Sequence, residues 1–83
     1  MRLDKFLKSS SLIKRRPLAQ AAFKGGRVLV NGKVAKPGTG LKLEDEITIF
    51  TSAYKIVVRV KSLSEKERGE ELYEVIKKER LEE

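Results

Sequence analysis

The residues of this 83-residue chain best equipped for chemistry are cations, and they crowd toward one end. Arg2, Lys5, Lys8, Lys14, Arg15, Arg16, Arg27 and Lys33 fall within residues 1–42, where eleven Lys and Arg face the single acid Asp4. The rest of the chain reverses the balance, with eight cations against eleven acids, so the overall net charge of +7 belongs to the N-terminal half. Solubility alone favours mixed signs, whereas a one-sign field on a small domain fits a polyanion, either nucleic acid or an anionic membrane surface. The planar guanidinium fork matches phosphate oxygens in pairs, so Arg2, Arg15, Arg16 and Arg27 point to phosphate recognition. Asp4 suits the positive end of a helix dipole, or a role orienting a nearby arginine.

Catalysis is poorly supplied. The chain has no histidine and no cysteine, which excludes disulfides and the usual zinc ligand sets and leaves its serines without a base. The acids cluster in the tail, where solvation accounts for them, and no phosphate-cradling GxGxxG or P-loop pattern occurs. Lys24-Gly25-Gly26-Arg27 reads as a helix stop before it reads as an anion nest. No enzyme activity, cofactor or metal is expected. Phe6 and Phe23 read as core, and that scarcity of free aromatics favours shape and phosphate recognition of folded RNA over base stacking; composition alone does not separate RNA from DNA. No apolar run approaches the roughly 18 to 20 residues of a membrane span, and no signal-peptide core is visible, so an intracellular, soluble protein is expected.

Several elements must position these cations. Leu3, Phe6 and Leu7 stand at i, i+3 and i+4, one apolar stripe of a short first helix, which Ser9-Ser10-Ser11 ends. A second helix starts near Arg15 and tolerates Pro17 in its first turn. Leu18, Ala21 and Ala22 form its expected inner face, and Gly25 or Gly26 its left-handed stop. Lys14, Arg15 and Arg16 then oppose the dipole at a helix N-terminus, a cost of a few tenths to about 1 kcal/mol that an anionic partner would remove.

Arg27 to Val30 and Lys33 to Ala35 flank Asn31-Gly32, the pattern of a type I′ hairpin. Glu46 to Phe50 is a further strand entered through Glu44-Asp45, and alternating Tyr54 to Val60 reads as a half-buried strand at the sheet edge. Ser64-Glu65-Lys66-Glu67 matches a capping box, and Leu72, Tyr73, Val75 and Ile76 make a stripe, so residues 64–83 are expected as an acidic C-terminal helix packed on or extending from a domain at 1–63.

Arg16-Pro17-Leu18-Ala19, Gly26-Arg27-Val28, Val30-Asn31-Gly32, Pro37 and Asp45-Glu46-Ile47 together resemble the S-four RNA-binding family. Met1 to Lys8 and Leu12 to Arg16 resemble its stand-alone, ribosome-associated bacterial members. The resemblance implies an α+β, alpha-L RNA-binding fold, with two N-terminal helices on a small mainly antiparallel sheet. It further implies a monomeric cytoplasmic factor that binds large-subunit rRNA and peptidyl-tRNA on obstructed large ribosomal subunits. There such a factor would support alanine tailing of the stalled chain by RqcH, a partner of the NEMF type. By positional match Arg2, Lys5 and Arg16 would contact RNA, with Asp4 orienting the arginines; Ser11 departs from a position where relatives often carry a basic residue. A general ribosome-assembly factor or RNA chaperone, and an adaptor docking through the tail helix, are the alternatives.

Overall fold

The computed structural model describes residues 1–81 as two short α-helices and one 3-10 turn, Gly69–Leu72, with one antiparallel sheet. Helix α1 is Leu3–Ser9 and α2 is Arg16–Lys24. The strands are β1 Val28–Val30, β2 Lys33–Val34, β3 Glu46–Phe50, β4 Tyr54–Val60 and β5 Tyr73–Arg80, ordered β2-β1-β3-β4-β5.

The apolar stripe of α1 does what its spacing demands: Leu3, Phe6 and Leu7 are fully buried with Val28, Ile47, Val58, Val60 and Leu72 in one cluster. Burial of each such side chain contributes about 1.5–3 kcal/mol. The start of α1 has no side-chain cap. Its free N–H groups are met by the loop before β3 instead, Leu3 donating to the Thr39 carbonyl at 2.8 Å and Asp4 to that of Pro37 at 3.0 Å. This fixes the helix end that carries Arg2, Asp4 and Lys5.

The turn chemistry also follows from sequence. Helix α2 ends with Gly26 at φ 68°, its N–H bonded to the Phe23 carbonyl and the Arg27 N–H to that of Ala22, a Schellman motif; Gly26, rather than Gly25, is the left-handed stop. Asn31 and Gly32 both take positive φ in the hairpin turn. The Asn31 side chain donates to Asp45 Oδ1 at 3.1 Å and accepts from the Glu46 N–H at 3.0 Å, which pins the hairpin to the entry of β3.

Three expectations need correction. Residues 73–80 are a strand, not part of a C-terminal helix, and Ser64 to Glu67 is a turn rather than a helix cap. β5 pairs with β4 from Val60↔Tyr73 to Tyr54↔Arg80, so this tail completes the sheet and is not a separate helix after residue 63; Glu82 and Glu83 of the expected helix lie outside the described residues. The helical spacing has a specific origin. Tyr73 and Val75 follow the two-residue strand period opposite Val60 and Val58, and a bulge then makes Ile76 an extra residue before Lys77 pairs with Val57. Glu74, opposite Arg59, forms a cross-strand ion pair at 3.7 Å, whereas a helix would set Glu67 against Glu71 and Glu70 against Glu74 at i, i+4.

β4, expected at the sheet edge, consequently lies between β3 and β5. Finally, the expected inner face of α2 is only partly inner. The helix has no fully buried residue; Ala22 and Phe23 touch the core, while Leu18 remains 60% exposed.

Candidate nucleic-acid interface

The two helices pack against one another, and both line a concavity of about 680 Å³. One wall is α1, with Arg2 just before it and Asp4, Lys5 and Lys8 along it. The other is Lys14, from the segment joining the helices, with Arg16 and Gln20 of α2. Ile13, Ala19, Phe23 and Pro37 complete the lining. Six of the nine residues singled out from sequence are thus brought together: Arg2, Asp4, Lys5, Lys8, Lys14 and Arg16.

The other three are not. Arg15 is exposed at the N-cap of α2 without lining this concavity. Arg27 lines a second groove on the far side of α2. Lys33 lies on β2, the opposite sheet edge from β5. The cations of the two helices and of the segment joining them therefore share one face, while Lys33 of the hairpin is carried to the far edge of the sheet.

The electrostatics are those of an anion receptor. Five cations surround one acid, and among the described residues Lys8, Lys14 and Arg16 have no ion-pair partner. Asp4 Oδ2 lies 3.3 Å from Arg2 Nη2 while Oδ1 accepts the Lys5 N–H at 2.8 Å. Asp4 thus contacts Arg2, and among the described residues it has no bond to Arg16. Arg2 also lies along the loop that caps α1, near Gly38. Both partners in the Arg2–Asp4 pair are substantially solvent-exposed, so the contact sets direction more than stability.

One participant escaped sequence reading. Glu65, in the turn between β4 and β5, accepts a hydrogen bond from Lys5 Nζ at 2.6 Å. That bond and the ammonium charge hold its carboxyl below the ordinary value of 4.5. Sixty positions separate the two residues, and no local pattern announces such a contact. Phe23, read as core, is half-buried and also floors the concavity. Ser11 faces the second groove instead, in a left-handed conformation at φ 65°.

Among the described residues there is no cluster of three or more potential metal ligands, and no helix is long and apolar enough to cross a membrane. What the site can do is hold phosphates from two sides, by forked and point-charge contacts.

The family model described as S4 domain matches residues 1–47, which span both helices, the hairpin and the start of β3. The RQC P-site tRNA stabilizing factor of Listeria monocytogenes is 45% identical over 100% of this chain and 94% of its own length. That of Halalkalibacterium halodurans is 50% identical over 95% of this chain and 93% of its own length. Among solved structures, a trimeric heat shock protein 15 from Vibrio cholerae superposes with a TM-score of 0.78 at 30% identity, covering 90% of this chain and 80% of that one. The chain belongs to the S4 domain family, the S-four RNA-binding family of the sequence resemblance, and its whole-length likeness there is to proteins named RQC P-site tRNA stabilizing factor.

Proposed function

We propose that this protein is a non-catalytic RNA-binding factor of ribosome-associated quality control. It binds rRNA and peptidyl-tRNA on obstructed large ribosomal subunits in the cytoplasm. As a monomer on that particle it holds the tRNA while RqcH extends the stalled chain with alanines. The observation that carries the reading is the concavity between α1 and α2, where Arg2, Lys5, Lys8, Lys14 and Arg16 surround Asp4 in a chain similar over its whole length to P-site tRNA stabilizing factors.

Its shape supports folded RNA over a single strand. Cations face inward from two helices, so a ridge of phosphates fits between them, and the only aromatic ring in the lining, Phe23, is half-buried. Arg2, Lys5 and Arg16 supply the contacts, with Arg2 aimed by Asp4. The adaptor alternative loses its basis, because the tail segment it required as a free helix is β5 of the sheet.

The test is sedimentation of the full chain with purified large subunits, with and without peptidyl-tRNA. Retention on the tRNA-bearing particle and weak retention on the empty one are expected. Arg16→Ala should weaken binding and reduce the slope of log affinity against log salt by about one contact, whereas Arg15→Ala should change the slope little. Equal retention on both particles, or an unchanged Arg16→Ala slope, would overturn the reading. Sedimentation equilibrium of the free chain tests the monomer.

A further inference from the structure

One apolar face of α2 is left open to solvent. Leu18 and Ala21 are exposed on a helix with no fully buried residue. They form one wall of a second groove of about 770 Å³, on the side of α2 away from the cationic concavity. Leu12 from the segment between the helices, and Phe50 and Ile56 from β3 and β4, complete its apolar surface. Its charged lining is Lys14 and Arg27, with no carboxylate among the lining residues. Neither cation has an ion-pair partner among the described residues. The acids near the sheet are engaged elsewhere, Glu44, Glu46 and Glu74 being paired with Arg59 and Lys61.

From this we infer that the groove between α2 and the end of β3 and β4 docks an acidic amphipathic segment of a partner protein, its apolar side chains against Leu18, Phe50 and Ile56 and its carboxylates on Lys14 and Arg27. The size falls in the range of ligand-binding clefts, and a groove walled by apolar side chains beside a helix suits a segment with anchors at i, i+3 or i+4 and i+7. Charge complementarity fixes the sign of the partner. Two cations with no counter-ion reject a basic segment and favour an acidic one. The lining favours a protein segment over an RNA backbone, since a run of phosphates would meet only two cations here beside a mostly apolar wall. Lys14 also lines the cationic concavity, so the groove adjoins the proposed RNA site without coinciding with it.

The experiment uses the 15N-labelled full chain and two designed peptides, one with leucines at helical i, i+4 spacing flanked by glutamates, the other identical but with lysines in place of the glutamates. Saturable shifts centred on Leu18, Ala21, Phe50 and Ile56 are expected with the acidic peptide only. Leu18→Gln and Ala21→Gln, neutral changes at exposed helical positions, should each weaken it about tenfold while leaving the amide spectrum of the fold and the affinity for RNA in place. No saturable binding of the acidic peptide overturns the inference, as do equal binding of the two peptides, shifts away from the groove, and unchanged affinity in both variants. A polyuridine oligonucleotide that shifts these same residues would overturn it in favour of RNA.

Discussion

Lys5 Nζ lies 2.6 Å from Glu65 Oε1, so the first helix of the chain is joined to the turn leading into its last strand through a side chain that also lines the cationic concavity. The turn is braced, since the Arg68 guanidinium donates to the carbonyls of Glu65 at 2.6 Å and Glu67 at 3.0 Å. Because the folded-state pKa of Glu65 is depressed, the contact is fully present above the ordinary carboxylate value and is lost as pH falls through the lower, folded one. A carbon-detected titration of the Glu65 carboxyl should give a midpoint below 4.5. In Lys5→Met that midpoint should rise toward the ordinary value, because the Lys5 hydrogen bond and charge are the largest causes of the shift, and an identical midpoint in the two proteins would mean that the ion pair does not form in solution.

A second expectation concerns RNA. Glu65 holds the ammonium that a phosphate would take, so Lys5 reaches RNA only by exchanging one anion for another. Glu65→Gln should therefore strengthen RNA binding by about twofold to fivefold, the range of an exposed ion pair, and should steepen the salt dependence. Weaker binding in Glu65→Gln would show instead that the pair presents Lys5 in its binding geometry.

What could be read from sequence divides along the range of the interactions involved. The α1 stripe, the Asn31-Gly32 hairpin and the Gly26 stop rest on residues a few positions apart, and all three stand in the structure. Arg2, Lys5 and Arg16 could be read as cations at two adjacent helix starts, whereas Lys8 in the last turn of α1 and Lys14 between the helices join them only through the way the two helices pack. Arg15, Arg27 and Lys33 were not separable from that group without knowing how α2 rotates on the sheet. β5 was masked by its bulge: Leu72, Tyr73, Val75 and Ile76 have helical spacing only because Ile76 is the extra residue. Signals against a helix were present in Gly69, which adopts φ 62°, and in the complementary pairs Arg59 with Glu74 and Lys55 with Glu79. Those signals need the partner strand to be known first.

The helix stop makes a local stability prediction. Gly26 has φ 68°, and the nearest atom a Cβ would meet is Val34 Cγ1 at 4.0 Å, so space is adequate and the backbone conformation is the constraint. Gly26→Ala should destabilise by about 1–2 kcal/mol, the left-handed penalty of a residue with a Cβ. Gly25→Ala, at φ −86°, places its Cβ 3.4 Å from the Ala21 carbonyl oxygen without that penalty, and should cost less. Denaturant melts of the two variants check the order.

The last strand makes a global one. Leu72 is fully buried in the same cluster as Leu3, Phe6 and Leu7, and its carbonyl accepts from the Lys61 N–H at 2.9 Å, which starts the pairing of β5 with β4. An appended helix could be removed with little loss, but this element covers the inner strand that carries Val58 and Val60. Leu72→Ala should cost about 2–5 kcal/mol through the transfer and cavity terms, a large share of what a domain of this size holds. Ile76→Ala, at the exposed bulge, should cost far less. Deleting residues 69–83 should expose the hydrogen-bonding edge of β4 and give an unfolded or aggregating chain, with RNA binding lost alongside the fold. A truncated chain with an unchanged melting transition would show that β5 contributes nothing to the domain, and equal costs for Leu72→Ala and Ile76→Ala would contradict the register in which one is core and the other is the bulge.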